Sequence, residues 1–154
     1  MKTNAIRILE SRGIIHSTLE YEADEDELDA LSVANKINAE PEAVFKTLVA
    51  RNEANTLLVF VIPGNFELSL RKAAKASGSK KIDMIKVKEL QSLTGYIRGG
   101  CSPIGMKKLF PTFIDETALL HEKIYCSAGI RGMQILLSPL DLADVTKAEF
   151  ADLI

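Results

Sequence analysis

With 154 residues, 47% of them apolar and 26% charged, and a formal net charge of −2, the chain has the makeup of one globular domain that can bury a core without staples. Its longest apolar run, Thr56 to Ile62, falls well short of the ~18 residues of a membrane helix, and Met1-Lys2-Thr3-Asn4 leads into an amphipathic stretch, so neither a membrane span nor a secretory leader is expected. Two cysteines, Cys101 and Cys126, are too few and too far apart for a disulfide scaffold or a metal-ligand pair, and they read as reduced thiols of a cytoplasmic protein.

In chain order, Thr3 or Asn4 can cap a first helix whose Ile6 and Leu9 face inward and which Gly13 stops. Ile15, Leu19 and Tyr21 alternate with polar residues, as a strand requires. The stretch from Glu20 to Asp29 carries seven acids and no base and reads as a loop. Ser32 is placed to cap a short helix through Ile37, and Pro41 fits the first turn of another. Phe45 to Arg51 and Thr56 to Ile62 read as a hairpin around Asn52-Glu53-Ala54-Asn55, the second strand apolar on both faces and therefore central.

A helix is expected from Glu67 to Ser77, ending at Gly78, with Arg71, Lys72 and Lys75 on one face. A short strand over Ile82 to Ile85 and a helix from Val87 to Leu93 follow. Phe113 to Asp115, Lys123 to Ser127 and Met133 to Ser138 read as strands, the last two joined by Ala128-Gly129-Ile130-Arg131-Gly132. Ser138-Pro139 opens a terminal helix, with Ser138 as cap and Asp141 in the first turn. Strands occur both in adjacent pairs and around helices, which points to a mixed sheet in an α/β chain of the α+β type, with residues 1–154 as one domain.

The densest chemical signal is the loop Gly99-Gly100-Cys101-Ser102-Pro103-Ile104-Gly105. Paired glycines let a ligand approach the backbone and leave N–H groups free, while Pro103 restricts the loop, which is what an oxyanion site needs. Lys46 should project from the face of its strand opposite Phe45 and Thr47, as a surface residue or as a fixed cation for a phosphate or developing charge. Cys101, His121 and Asp115 have the types of a nucleophile, base and orienter, but no local pattern joins them. No His, Cys and carboxylate cluster has zinc-site spacing, so no metal is expected. Seven bases lie between Arg71 and Lys88 against one acid; they read either as a solvated face or as a stripe that meets phosphates while the acidic segment stays away.

Phe45-Lys46-Thr47-Leu48, Lys72-Ala73-Ala74-Lys75, the run from Thr94-Gly95-Tyr96 to Ser102-Pro103-Ile104-Gly105, and Ile124-Tyr125-Cys126-Ser127 resemble the YbaK/EbsC family, collinearly over nearly the whole chain. That family is related to the editing domain of bacterial prolyl-tRNA synthetases. The resemblance implies a curved mixed sheet approaching a barrel with helices around it, and deacylation of mischarged tRNA without a metal or organic cofactor. It implies cysteine on the proline tRNA, or on other tRNAs, as the substrate, with the substrate thiol attacking its own ester. By the same resemblance Lys46 holds the acceptor end, and Gly99, Gly100, Cys101, Ser102 and Pro103 form the catalytic loop. Tyr21, Ser127 and Gly129 fall at pocket positions, and Arg71, Lys72, Lys75, Lys107 and Lys108 become the RNA track. The expected partners are mischarged tRNA and, as a candidate, prolyl-tRNA synthetase; the protein is expected to be a monomer.

Two departures stand out. Ala128-Gly129-Ile130-Arg131-Gly132 replaces a Gly-Gly-Lys-Arg-Gly turn, removing one cation, and the acidic segment lacks an aromatic residue that Leu28 or Leu31 would replace. A deacylase for alanine or another small residue, and a non-catalytic module that binds RNA or a synthetase, are the alternatives.

Overall fold

The computed structural model describes residues 2–154. The chain runs α1 (Asn4–Ser11), β1 (Ser17–Glu20), α2 (Ala30–Lys36), β2 (Phe45–Asn52), β3 (Leu57–Pro63), α3 (Leu70–Ser77), β4 (Ile82–Met84), α4 (Val87–Thr94), β5 (Thr112–Asp115), β6 (Ile124–Ser127), β7 (Met133–Leu137), α5 (Pro139–Thr146) and β8 (Glu149–Ala151), with 3-10 turns at Pro41–Ala43 and Glu116–Leu120. No described helix is long and apolar enough to cross a membrane.

The expected hairpin is the centre of the molecule. β2 and β3 pair antiparallel from Phe45–Pro63 to Arg51–Leu57, while β3–β5 and β5–β8 are parallel, giving a mixed sheet in the order β4-β2-β3-β5-β8. The apolar run of β3 is buried on both faces as its composition requires. Val59 and Val61 join the main core with Phe45, Val49, Ile114 and Ile135; Leu58, Phe60 and Ile62 pack on the other face with Ala73 of α3, Ile82, Phe113 and Leu153. The second sheet, β1-β7-β6, is antiparallel, and the two sheets meet through a bridge between Val44 and Tyr125. The strands thus form two separate sheets linked by a single bridge, where one curved sheet approaching a barrel was expected.

The strand read through Ile15 and Tyr21 is confined to Ser17–Glu20, and three further differences from the sequence reading have a local reason. Asp29, not Ser32, caps α2: its carboxylate accepts from the Ser32 N–H at 3.1 Å, and the Ser32 hydroxyl donates back to it at 2.7 Å. α3 starts at Leu70, because Ser69 caps it while donating its own N–H to the Leu153 carbonyl, which leaves Phe66 and Glu67 in a loop. β8 went unrecognised; at three residues, just after the left-handed Lys147, it has no periodicity to detect. The Ser138 cap with Pro139 in the first turn is found as expected.

Asp115, fully buried, closes the C-terminus: one carboxylate oxygen accepts from the Leu153 N–H at 2.9 Å and the other from the Thr117 N–H at 3.1 Å. Outside this clamp, Lys72 pairs with Asp152 at 3.0 Å and donates to the Ile154 carbonyl. Replacing Asp115 with alanine strands a buried N–H and should cost about 2–3 kcal/mol. Urea unfolding checks this, and a loss below half a kcal/mol would show that Asp115 does not hold the terminus.

Candidate active site

A cavity of about 570 Å³ opens where β2 loses its neighbour. In an antiparallel strand alternate residues turn both backbone polar groups to the same side. Gly64 donates to the Val44 carbonyl and Asn52 to that of Thr56, so the even-numbered residues of β2 face β3 and the odd-numbered ones face outward. The outward carbonyl of Val49 is taken by the Ile85 N–H, and pairing with β4 begins at Ala50. Between the Val44–Tyr125 bridge and that point, Phe45 and Thr47 present their backbone edge to the cavity, and both line it. The three-stranded sheet contributes Ser127 and Gln134, which are register partners and both line the cavity. Leu28 and Asp29, the Phe66 loop, and Arg98, Gly99 and Cys101 complete it.

Lys46 lines this cavity and is partly exposed. Its ammonium donates to the Gly64 carbonyl at 3.4 Å, and burial lowers its pKa from the ordinary lysine value, partly opposed by the negative charges of Glu67 and Asp29. It is a half-buried cation with one long hydrogen bond, placed to take a better anionic partner.

The glycine loop acts as packing as well as lining. Gly99 has φ +81°, and a Cβ there would come within 2.9 Å of the Leu28 side chain. A Cβ on Gly100 would meet backbone atoms of Ile130 and Arg131 at 2.9 Å, so the loop docks directly on the turn after β6. The Gly100 N–H donates to the Ile97 carbonyl at 2.9 Å; it closes a turn and is not free for an oxyanion, contrary to the expectation for this pair. Ser102 is fully buried and accepts from the Ile104 N–H, and Pro103 lines a smaller cavity behind the loop.

Of the residues singled out in the sequence, Lys46, Gly99, Cys101 and Ser127 line the main cavity. Gly100, Ser102 and Pro103 support the loop from behind. Gly129 packs against the Tyr96 ring, and Tyr21 joins a satellite cluster with Val33, Val44 and Tyr125. Arg71, Lys75 and Lys108 are exposed and lie off the cavity wall, while Lys72 and Lys107 are engaged, the latter with the Ser92 carbonyl at 3.0 Å. The acidic segment does not stay away: it supplies Leu28 and Asp29 to the wall, and Leu31 just beyond it lines the cavity as well.

No protein nucleophile is poised here. Burial pushes the Cys101 thiol up to about 12, so the thiolate is essentially unpopulated at neutral pH. Ser127 accepts from the Gly129 N–H. His121 lies edge-on to Phe45 and off the cavity wall, and both Asp115 oxygens are spent on the C-terminal clamp, so the Cys101, His121 and Asp115 set is not assembled. Cys101→Ala should keep activity within about threefold of the parent, as expected where no bond to the transition state is lost. A near-total loss, or an acyl adduct trapped on Cys101, would contradict this. No described group of His, Cys and carboxylates could hold a metal.

Sequence reasoning missed Thr47 and Gln134. The Thr47 hydroxyl and the Gln134 Oε1 are buried without hydrogen-bond partners, a state that costs about 1–3 kcal/mol each. In the sequence Gln134 is only the polar member of an alternating strand; in the fold it is 5% exposed and lines the cavity with residues of α2 and the Gly99 loop.

Three comparisons bear on this cavity. A family model described as an aminoacyl-tRNA editing domain matches residues 24–145. A protein of Enterococcus faecalis, EbsC, whose name carries a provisional Cys-tRNA(Pro)/Cys-tRNA(Cys) deacylase assignment, is 49% identical over 99% of this chain and 93% of its own length. Proline–tRNA ligase of Shouchella clausii is 28% identical over 76% of this chain, which spans only 20% of that enzyme. Among solved structures, one described as a candidate trans-editing enzyme for prolyl-tRNA synthetase superposes with a TM-score of 0.82 at 26% identity, covering 99% of this chain and 98% of the other.

Proposed function

The chain belongs to the aminoacyl-tRNA editing domain family, and from that premise we propose that it clears cysteine from mischarged tRNA, with the proline tRNA as principal substrate and the cavity beside Lys46 as the site of ester cleavage. The observation that carries the mechanism is the absence of an activated nucleophile on the described cavity wall: the Cys101 thiol is held at about 12, and neither histidine lines the space. The substrate supplies what the protein lacks. The cysteinyl thiolate attacks its own ester carbonyl, the carbon–oxygen bond to the ribose breaks, and the thiol proton ends on the released ribose hydroxyl. The amino acid leaves as a cyclic thioester. Lys46 neutralises the acceptor end, and the outward N–H of Thr47 on the free strand edge is the donor nearest to hand for the developing oxyanion, in place of Gly100.

The RNA backbone crosses the exposed cations of α3, Arg71 and Lys75, and the pair Lys107 and Lys108; Lys72 contributes less, being tied to Asp152. A monomer working in the cytoplasm, alone or beside prolyl-tRNA synthetase, fits this reading.

The test is ester loss from a panel of mischarged tRNAs at catalytic protein concentration. Cysteinyl-tRNA should disappear fastest. Fastest loss of alanine would transfer the activity to the smaller residue, and no loss from any member would leave a binding module.

A further inference from the structure

Resting on the deacylase reading, we infer that Gln134 and Thr47 form the reading head for the substrate's α-ammonium group, and so restrict the enzyme to aminoacyl esters with a free amine. Both line the same cavity, Thr47 on the free edge of β2 and Gln134 on β7, paired with Ser127 of β6. Each carries a buried side-chain oxygen without a partner. Beside them lies the backbone of Thr47, whose carbonyl faces the cavity and away from β3.

The chemistry of this cluster selects its ligand. The Gln134 amide oxygen and the outward Thr47 carbonyl accept, and the Thr47 hydroxyl can accept as well as donate, so a group that fans out several N–H donors from a single atom complements the cluster. An ammonium does this. An ester oxygen donates nothing, and a hydroxyl donates only once. The group is cationic, and Asp29 on the same cavity wall adds a favourable field; Lys46 is reserved for the anionic end of the molecule. The unpartnered oxygens are buried, whereas Lys46 is only partly buried. This sets the substrate's direction, amino acid inward and ribose-phosphate outward, and places the ester between them.

The probes are two non-hydrolysable adenosine amides, 3′-alanylamino-3′-deoxyadenosine and its lactyl counterpart, which differ only in α-ammonium against α-hydroxyl. Calorimetry on the intact chain should give the alanyl compound an affinity at least about tenfold greater. Gln134→Leu should bring the two within about threefold by weakening the alanyl compound alone, and Gln134→Glu should restore the preference, because a carboxylate accepts from an ammonium as well as an amide oxygen does. Thr47→Val, a smaller change, should lower the ratio and Thr47→Ser should return it, which keeps the test informative if Gln134→Leu does not fold. Equal affinities in the parent, or an unchanged ratio in a folded Gln134→Leu or Thr47→Val variant, would overturn the inference. If neither compound binds while cysteinyl-tRNA is still cleaved, the ammonium site is wrong and the deacylase reading stands; if cleavage is absent as well, both fall.

Discussion

Replacing Lys46 with alanine should lower deacylation at sub-saturating tRNA by about 10²-fold while moving the melting temperature little, the scale for losing a charge-assisted contact that holds the substrate's anionic end in place. The small structural cost follows from its surroundings. Lys46 has one 3.4 Å hydrogen bond, to the Gly64 carbonyl, and the strand pairing of β2 with β3 passes through its backbone rather than its side chain. The large functional cost follows from its position on the cavity wall, half-buried and in the field of two negative charges, Glu67 and Asp29. An arginine at this site should restore only part of the rate, since the planar fork does not fit where a point charge on a flexible stem does.

The same lysine gives the pH profile its upper limb. Burial lowers its pKa from the ordinary lysine value, so the cation is lost as pH rises at a lower pH than for an exposed lysine. The substrate thiol works in the opposite sense, ionising as pH rises through about 8.5. Activity should therefore climb through neutral pH and fall on the alkaline side, and in Lys46→Ala the alkaline fall should disappear. A normal rate in that variant would place the site elsewhere.

Much of this architecture was legible in the sequence because the relevant signals are local. The apolar run of β3 has no polar face to expose, the Asn52–Asn55 segment has turn chemistry, and Ser138-Pro139 is a helix start by capping alone. Lys46 and the Gly99 loop were found by motif, and both line the cavity. What the sequence concealed depends on distant parts of the chain. The free edge of β2 exists because β4 pairs only from Ala50 and β6 pairs only through the single bridge at Val44, neither of which β2 itself encodes. Gln134 looks like any outward residue until the fold buries it beside the cavity. The acidic segment, by charge alone, was expected to stand clear, yet its end carries Leu28, against which Gly99 packs, so apolar contact outweighed charge at that point. The role of Gly100 was misjudged for a related reason: its missing side chain serves the close approach of the Ile130–Arg131 backbone, which no periodicity reveals.

The substrate's own side chain should matter more than any single protein residue. Cysteine and serine differ by one atom, and a cavity of about 570 Å³ that admits sulfur admits oxygen. They differ sharply in acidity: a thiol with a pKa of about 8.5 is a few per cent thiolate near neutral pH, whereas a serine hydroxyl is essentially never ionised. Water activated by the protein, or a nucleophile on its cavity wall, would attack both esters at comparable rates. The decisive measurement is single-turnover deacylation of cysteinyl-, seryl- and alanyl-tRNA prepared on one proline tRNA. Cysteinyl-tRNA should be cleaved at least about 10²-fold faster than seryl-tRNA, with alanyl-tRNA slower still, because only the thiol both reaches the carbonyl and carries charge. Equal rates for cysteine and serine would contradict a substrate-supplied nucleophile.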